Sequence, residues 1–140
     1  MLRFVFFLFV TLAAPAKADP LAFASQARVQ AGLPPLRIAP ALAQAAQVQA
    51  NHMARVRRAG HDGPGGSRLV DRLRAAGFAG CYVAENVAAG QRTGRAVVRA
   101  WMTSPPHRAN ILDPTLSHGA VARAEGRGGP YWAMVLGGPC

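Results

Sequence analysis

An apolar run close to the start sets the first limit on what this chain can be. Residues 4–14 (FVFFLFVTLAA) carry no charge, and the run is shorter than the roughly 20 residues a membrane-spanning helix needs. Arg3 precedes it and Ala16-Lys17-Ala18 follows, which gives the positive region, apolar core and small-residue site of a secretory signal peptide cut after residue 18. An uncleaved anchor is the alternative. No cysteine follows the run to carry a lipid. Removing the leader leaves 140 − 18 = 122 residues, the size of one domain around one core. Residues 1–18 therefore read as signal peptide and residues 19–140 as a single secreted or periplasmic domain, monomeric and without a membrane span.

Export decides how the cysteines are read. Cys81 and Cys140 are the only two, and in an oxidising compartment an even number favours one disulfide over two free thiols. A bridge closing a loop of roughly 60 residues would stabilise the fold by about 4 kcal/mol in the chain-entropy picture. No Cys-x-x-Cys occurs, so thiol redox chemistry is not indicated. Charge is lopsided, with 16 Lys and Arg against 6 Asp and Glu. Lys17 is the sole lysine, so an arginine-only surface would remain after cleavage. Such a surface suits anionic phosphate or carboxylate partners such as envelope polymers and lipid head groups, and equally reflects a genome rich in G and C. The arginines are scattered rather than set along a basic helix, and nucleic acid is not an expected partner.

Proline and glycine divide the rest. Residues 20–31 have helical composition and stop at Gly32, before Pro34-Pro35. A longer helix starts at Pro40, with Leu42, Ala45, Ala46, Gln49, Met53 and Val56 at helical spacing, arginines crowding its last turns, and Gly60 as the expected stop. Ser67 is placed to cap a third helix closing at Gly77. Residues 81–89 are ambiguous between an extended segment and a helical turn. Residues 93–103 predict another helix, stopped by Pro105-Pro106. Residues 119–125 and 131–136 predict an antiparallel hairpin turning over 126–130. Helices first and strands last indicate an α+β fold.

Taken in order, GLPPLR (32–37), HDGPGGS (61–67), ENVAAG (85–90), WMTSPPHRANIL (101–112) and GGPYWAMVLG (128–137) resemble the bacterial CAP, or SCP-like, domain of the cysteine-rich secretory, antigen 5 and pathogenesis-related proteins. The resemblance implies a three-layer α-β-α sandwich, a small antiparallel sheet flanked by helices. It also implies a cleft carrying His61, Glu85 and His107, with Arg108 beside them. Two departures stand out. Pro106 replaces the usual glycine of Ser-Pro-Gly-His-Arg, with an expected shift in the approach to His107. Ala133-Met134 replace the common Thr-Gln, and the second histidine that many eukaryotic relatives carry in the last strand is absent.

Two imidazoles and one carboxylate, expected in three separate loops, are a plausible set for zinc or another divalent cation with positions left open for water. The bland alternative is that Glu85 and His107 tie loops together while His61 is solvated. Arg108 is expected either to pair with Glu85 or an acidic ligand, or to brace the surface. Asn86 and Asn110 are expected to satisfy backbone groups in tight bends, and His52 and His118 lack a visible role. Trp101, Trp132, Tyr131 and Phe78 read as core before they read as walls of an apolar groove. Ser67 and Ser104 lie in no Gly-x-Ser-x-Gly elbow. The leading reading is a ligand-binding module for an envelope component, a lipid or a divalent ion. A metal-assisted hydrolase with Glu85 as ligand or general base is the rival, and a partner-binding scaffold with an idle cleft is the third.

Overall fold

A computed structural model describes residues 19–140; the signal segment expected over 1–18 lies outside the described residues. Helix α1 spans Pro20–Gln30, followed by strand β1 (Arg37–Ile38) and the long helix α2 (Pro40–Val56). A 3-10 turn at Pro64–Gly66 leads to α3 (Leu69–Ala75), strand β2 (Tyr82–Ala89), α4 (Gly94–Thr103) and α5 (Pro105–Ile111). Strands β3 (His118–Gly126) and β4 (Gly129–Gly138) close the chain. The sheet runs β1-β3-β4-β2, antiparallel except for the two-residue edge strand β1, which pairs parallel with β3. The expected α+β sandwich is therefore present, with β1 as an element the sequence did not announce.

Alternation along the strands divides the core into two layers. Tyr131, Ala133 and Val135 face α2, where they meet Leu42, Ala45, Ala46, Ala50 and Met53. Trp132, Met134 and Leu136 face the other way and pack with Leu21, Val97, Trp101 and Ile111 from α1, α4 and α5. The stripe read along α2 is buried from Leu42 to Met53, but Val56 is 46% exposed. The helix leaves its α conformation at Arg57, which adopts a left-handed φ of 58°, so the stop comes three residues before Gly60.

Two further boundaries differ from expectation. Arg68, not Ser67, occupies the N-cap of α3, and its N–H donates to the Asp71 carboxylate at 2.9 Å. Pro105-Pro106 ends α4 and also begins α5. Proline lacks the N–H that a first helical turn leaves unused and holds φ near the helical value. Pro106 therefore fits the helix that carries His107 and does not distort its approach. Residues 81–89 resolve as extended from Tyr82 onward.

Buried Arg28 ties α1 to this layer. Its Nε donates to the carbonyl of Pro34 at 2.9 Å, and its Nη1 donates to the carbonyls of Ile111 and Asp113 at 2.8 and 2.9 Å. A guanidinium at the carbonyl end of α5 is favoured by the helix dipole. Cys81 and Cys140 form a disulfide, which joins the segment entering β2 to the chain end after β4.

Candidate functional site

Strand β2 forms the far edge of the sheet, and Glu85 and Asn86 are neighbours on it with side chains on opposite faces. Glu85 turns toward the α2 and α3 layer. Its Oε2 accepts from Arg72 Nη2 at 2.5 Å and its Oε1 lies 2.9 Å from His61 Nδ1. Asn86 turns toward α5, where its Nδ2 donates to the His107 carbonyl at 3.0 Å and its Oδ1 accepts from Asn110 at 2.8 Å. One dipeptide thus holds a histidine-bearing segment on each side of the sheet. His61 and His107 thus flank the β2 edge from its two sides, with the charge of His61 acting on His107.

The loop carrying His61 is held from beneath by two buried polar side chains. Gln49 Nε2 donates to the carbonyls of Gly60 and Asp62 at 2.6 and 3.2 Å. Arg72 Nη1 donates to the carbonyls of His61 and Ser67 at 3.2 and 2.9 Å. Gly63 makes this possible: a Cβ there would stand 2.8 Å from Arg72 Nη1 and 2.6 Å from Ser67 Oγ. Part of the glycine content of HDGPGGS is therefore a requirement for close approach.

Exposure separates the partners. The Arg72 and Glu85 side chains are each 3% exposed, whereas that of His61 is 62% exposed. Because Nδ1 of His61 faces a carboxylate, the proton is assigned to Nδ1 and Nε2 is left as an acceptor. The pKa of His107 is held below the ordinary imidazole value, first by burial and second by the nearby charge of His61. Near neutral pH His107 is therefore an uncharged imidazole.

The structure brings His61, Glu85 and His107 to the β2 edge of the sheet, with several corrections to the expected details. Glu85 lies in the middle of a strand and His107 within a helix, so only His61 belongs to a loop. Arg108 is exposed and forms no ion pair among the described residues; the partner of Glu85 is Arg72. Asn86 does satisfy a backbone group, while Asn110 bonds to Asn86 instead. Arg72 escapes a reading of the sequence because it sits between Asp71 and Arg74 in a helix rich in charge. The available signal is its position on the same helical face as Leu69 and Leu73.

Among the described residues no group of three His, Cys, Asp or Glu side chains is arranged to hold a metal ion. Both Glu85 oxygens are engaged, so the donor set does not fit a three-ligand zinc centre. Also among the described residues, no helix is long and apolar enough to cross a membrane.

A four-stranded sheet between an α2–α3 layer and the helices α1, α4 and α5, with His61 and His107 flanking its β2 edge, defines the helix–sheet–helix sandwich of SCP-type domains. The chain belongs to the CAP family: the model for "CAP: Cysteine-rich secretory protein family" matches residues 21–136. It is similar to the uncharacterized protein YkwD of Bacillus subtilis, 34% identical over 107 residues that make up 76% of this chain and 41% of YkwD. The chain thus spans less than half the length of that relative. Among solved structures it resembles an extracellular SCP-domain protein of Bacillus anthracis, with TM-score 0.78, 23% identity, and coverage of 85% of this chain and 39% of that one. It also resembles an outer surface protein of Borrelia burgdorferi, with TM-score 0.77, 19% identity, and coverage of 86% of this chain and 90% of that one.

Proposed function

We propose that this protein is an exported binding module that recognises a polar component of the cell envelope through the His61–His107 pair. One observation carries the reading: both oxygens of Glu85 are committed, one to a buried guanidinium and one to an imidazole N–H. A carboxylate held in this way orients a histidine and is a poor general base or metal ligand. What remains for a ligand is two imidazoles flanking the β2 edge, one braced and exposed, the other uncharged near neutral pH. Nε2 of the braced His61 can accept from, and the uncharged His107 can accept from or donate to, the hydroxyl and amide groups of glycans and peptides. Export is supported by the apolar leader, by the disulfide, and by the extracellular and outer-surface names of the similar structures.

Co-sedimentation of purified residues 19–140 with peptidoglycan sacculi tests the reading. The expected result is saturable binding that weakens about tenfold or more, roughly 1.4 kcal/mol, in a His61→Ala/His107→Ala variant with unchanged melting temperature. Equal sedimentation of the two proteins would overturn it. Calorimetric titration with zinc separates this reading from the hydrolase. One equivalent bound at micromolar affinity or tighter, and lost in the same variant, would put a metal centre in its place.

A further inference from the structure

Strand β3 is paired along its whole length with β4, but β1 covers its other side only at His118 and Gly119. From Val121 to Glu125 that outer side has no strand beside it among the described residues. The Arg37 N–H donates to the Ser117 carbonyl at 3.0 Å, so the odd-numbered residues of β3 turn their main-chain groups outward. The Arg123 carbonyl is in phase with this, accepting from the exposed Gln47 Nε2 at 3.4 Å. The outward N–H and C=O groups of Val121, Arg123 and Glu125 are thus open to another strand once that one long surface bond gives way. Arg123 and Glu125 are both exposed and form an ion pair with each other.

We propose that this edge pairs with a second copy of the chain, β3 against β3 and antiparallel, about a two-fold axis at Ala124. Charged residues commonly guard an edge against pairing; here their order selects one register. With the axis at Ala124, Arg123 of each copy stands opposite Glu125 of the other, and the two residues exchange main-chain bonds in both directions. Two opposite-charge cross-strand pairs result. Moving the axis by one residue sets Arg123 against Arg123, or Glu125 against Glu125, and like charges directly opposite are destabilising. The interface is self-complementary, as a two-fold dimer requires. The incoming strand does not displace β1, because β1 ends at Ile38 beside Gly119. Ile38, 70% exposed, then lies beside the hairpin tip of the second copy. The joined sheet carries β2 at each outer end, about 24 Å apart at roughly 4.8 Å per strand. His61 and His107 flank those outer ends, clear of the junction, so the pairing does not depend on the envelope-binding reading. It replaces the monomer expected from the sequence.

Sedimentation equilibrium of purified residues 19–140, with no ligand added, provides the test. Expected is a weak dimer, half formed at about 10–300 µM as suits a small interface. Arg123→Glu and Glu125→Arg should each weaken self-association at least about tenfold, whereas an equimolar mixture of the two variants should form a heterodimer. The swapped variant Arg123→Glu/Glu125→Arg restores opposite charges across the axis and should dimerise as wild type does. Because both side chains are exposed, circular dichroism should report each variant folded. Under mild oxidation Ala124→Cys should cross-link to itself across the axis, and Val121→Cys, about 20 Å from its counterpart at roughly 3.4 Å per residue, should not. The proposal is overturned if the protein stays monomeric up to about 1 mM, if Arg123→Glu leaves the dimer intact, if the swapped variant remains monomeric, or if Val121→Cys cross-links as readily as Ala124→Cys.

Discussion

On one face of the sheet the long helix α2, with the short α3 at its side, lies against Ala120, Ala122 and Ala133; on the other, three helices close over Trp101, Trp132 and Ile111. The first face is rich in alanine where the sheet meets α2, at Ala120, Ala122 and Ala133, which lets the long helix come close. The second presents larger side chains, Trp132, Met134 and Leu136, to short helices. Close packing on both faces satisfies the core, yet the two should respond to change in opposite ways. The small-residue face is vulnerable to added volume, and the large-residue face to its removal.

The largest effect is expected from Trp101→Ala, which empties the centre of the second face and deletes the 3.2 Å bond from the indole to the Val87 carbonyl. Chemical denaturation should show a loss of about 4 kcal/mol; a loss under about 1 kcal/mol would break the contrast. Arg72→Leu should cost about 3 kcal/mol, because it strands the Glu85 carboxylate in a buried site. Adding Glu85→Leu should restore most of that stability while leaving sacculus binding impaired, since His61 loses its brace. Ala133→Leu, on the small-residue face, should cost about 2 kcal/mol by overpacking. Met134→Leu, the next residue but on the large-residue face, keeps its volume and should cost less than about 1 kcal/mol. Similar values for that pair would show that the faces do not differ.

The smallest effect concerns His107 and its response to pH. Its folded pKa lies below the unfolded value of 6.5, so between the two the unfolded chain binds more protons. Stability from this residue is complete above pH 6.5 and declines as pH falls through the lower folded value. NMR titration should place the His107 midpoint below 6.5, and His61→Ala should move it part of the way back, because that variant removes the charge while the burial remains. An unchanged midpoint in the variant would show that the two imidazoles do not sense each other.

The same contrast explains what is legible without coordinates. The α2 stripe can be read because one helix against one face leaves a clean 3.6-residue period. The opposite layer is assembled from helices of seven to eleven residues, too short for periodicity to be persuasive. Pro105-Pro106 marks both an end and a beginning, and only the end is evident from the sequence. His61, Glu85 and His107 are found through motif order, since nothing in their spacing dictates that β2 should present two adjacent residues to opposite layers. Arg28 and Arg72 escape notice because composition treats arginine as surface, whereas here each neutralises backbone carbonyls or a carboxylate that would otherwise be buried alone.

The covalent link between Cys81 and Cys140 encircles β2, α4, α5, β3 and β4. A protease that nicks any loop inside this ring produces two fragments that still migrate as one species. The cut would become visible on a gel only after thiol treatment. A nick in the stretch between α1 and α3 has no such tether and would release a piece held by packing alone. The chain thus carries its last three strands inside a closed circuit, and the helices before them do not share that protection.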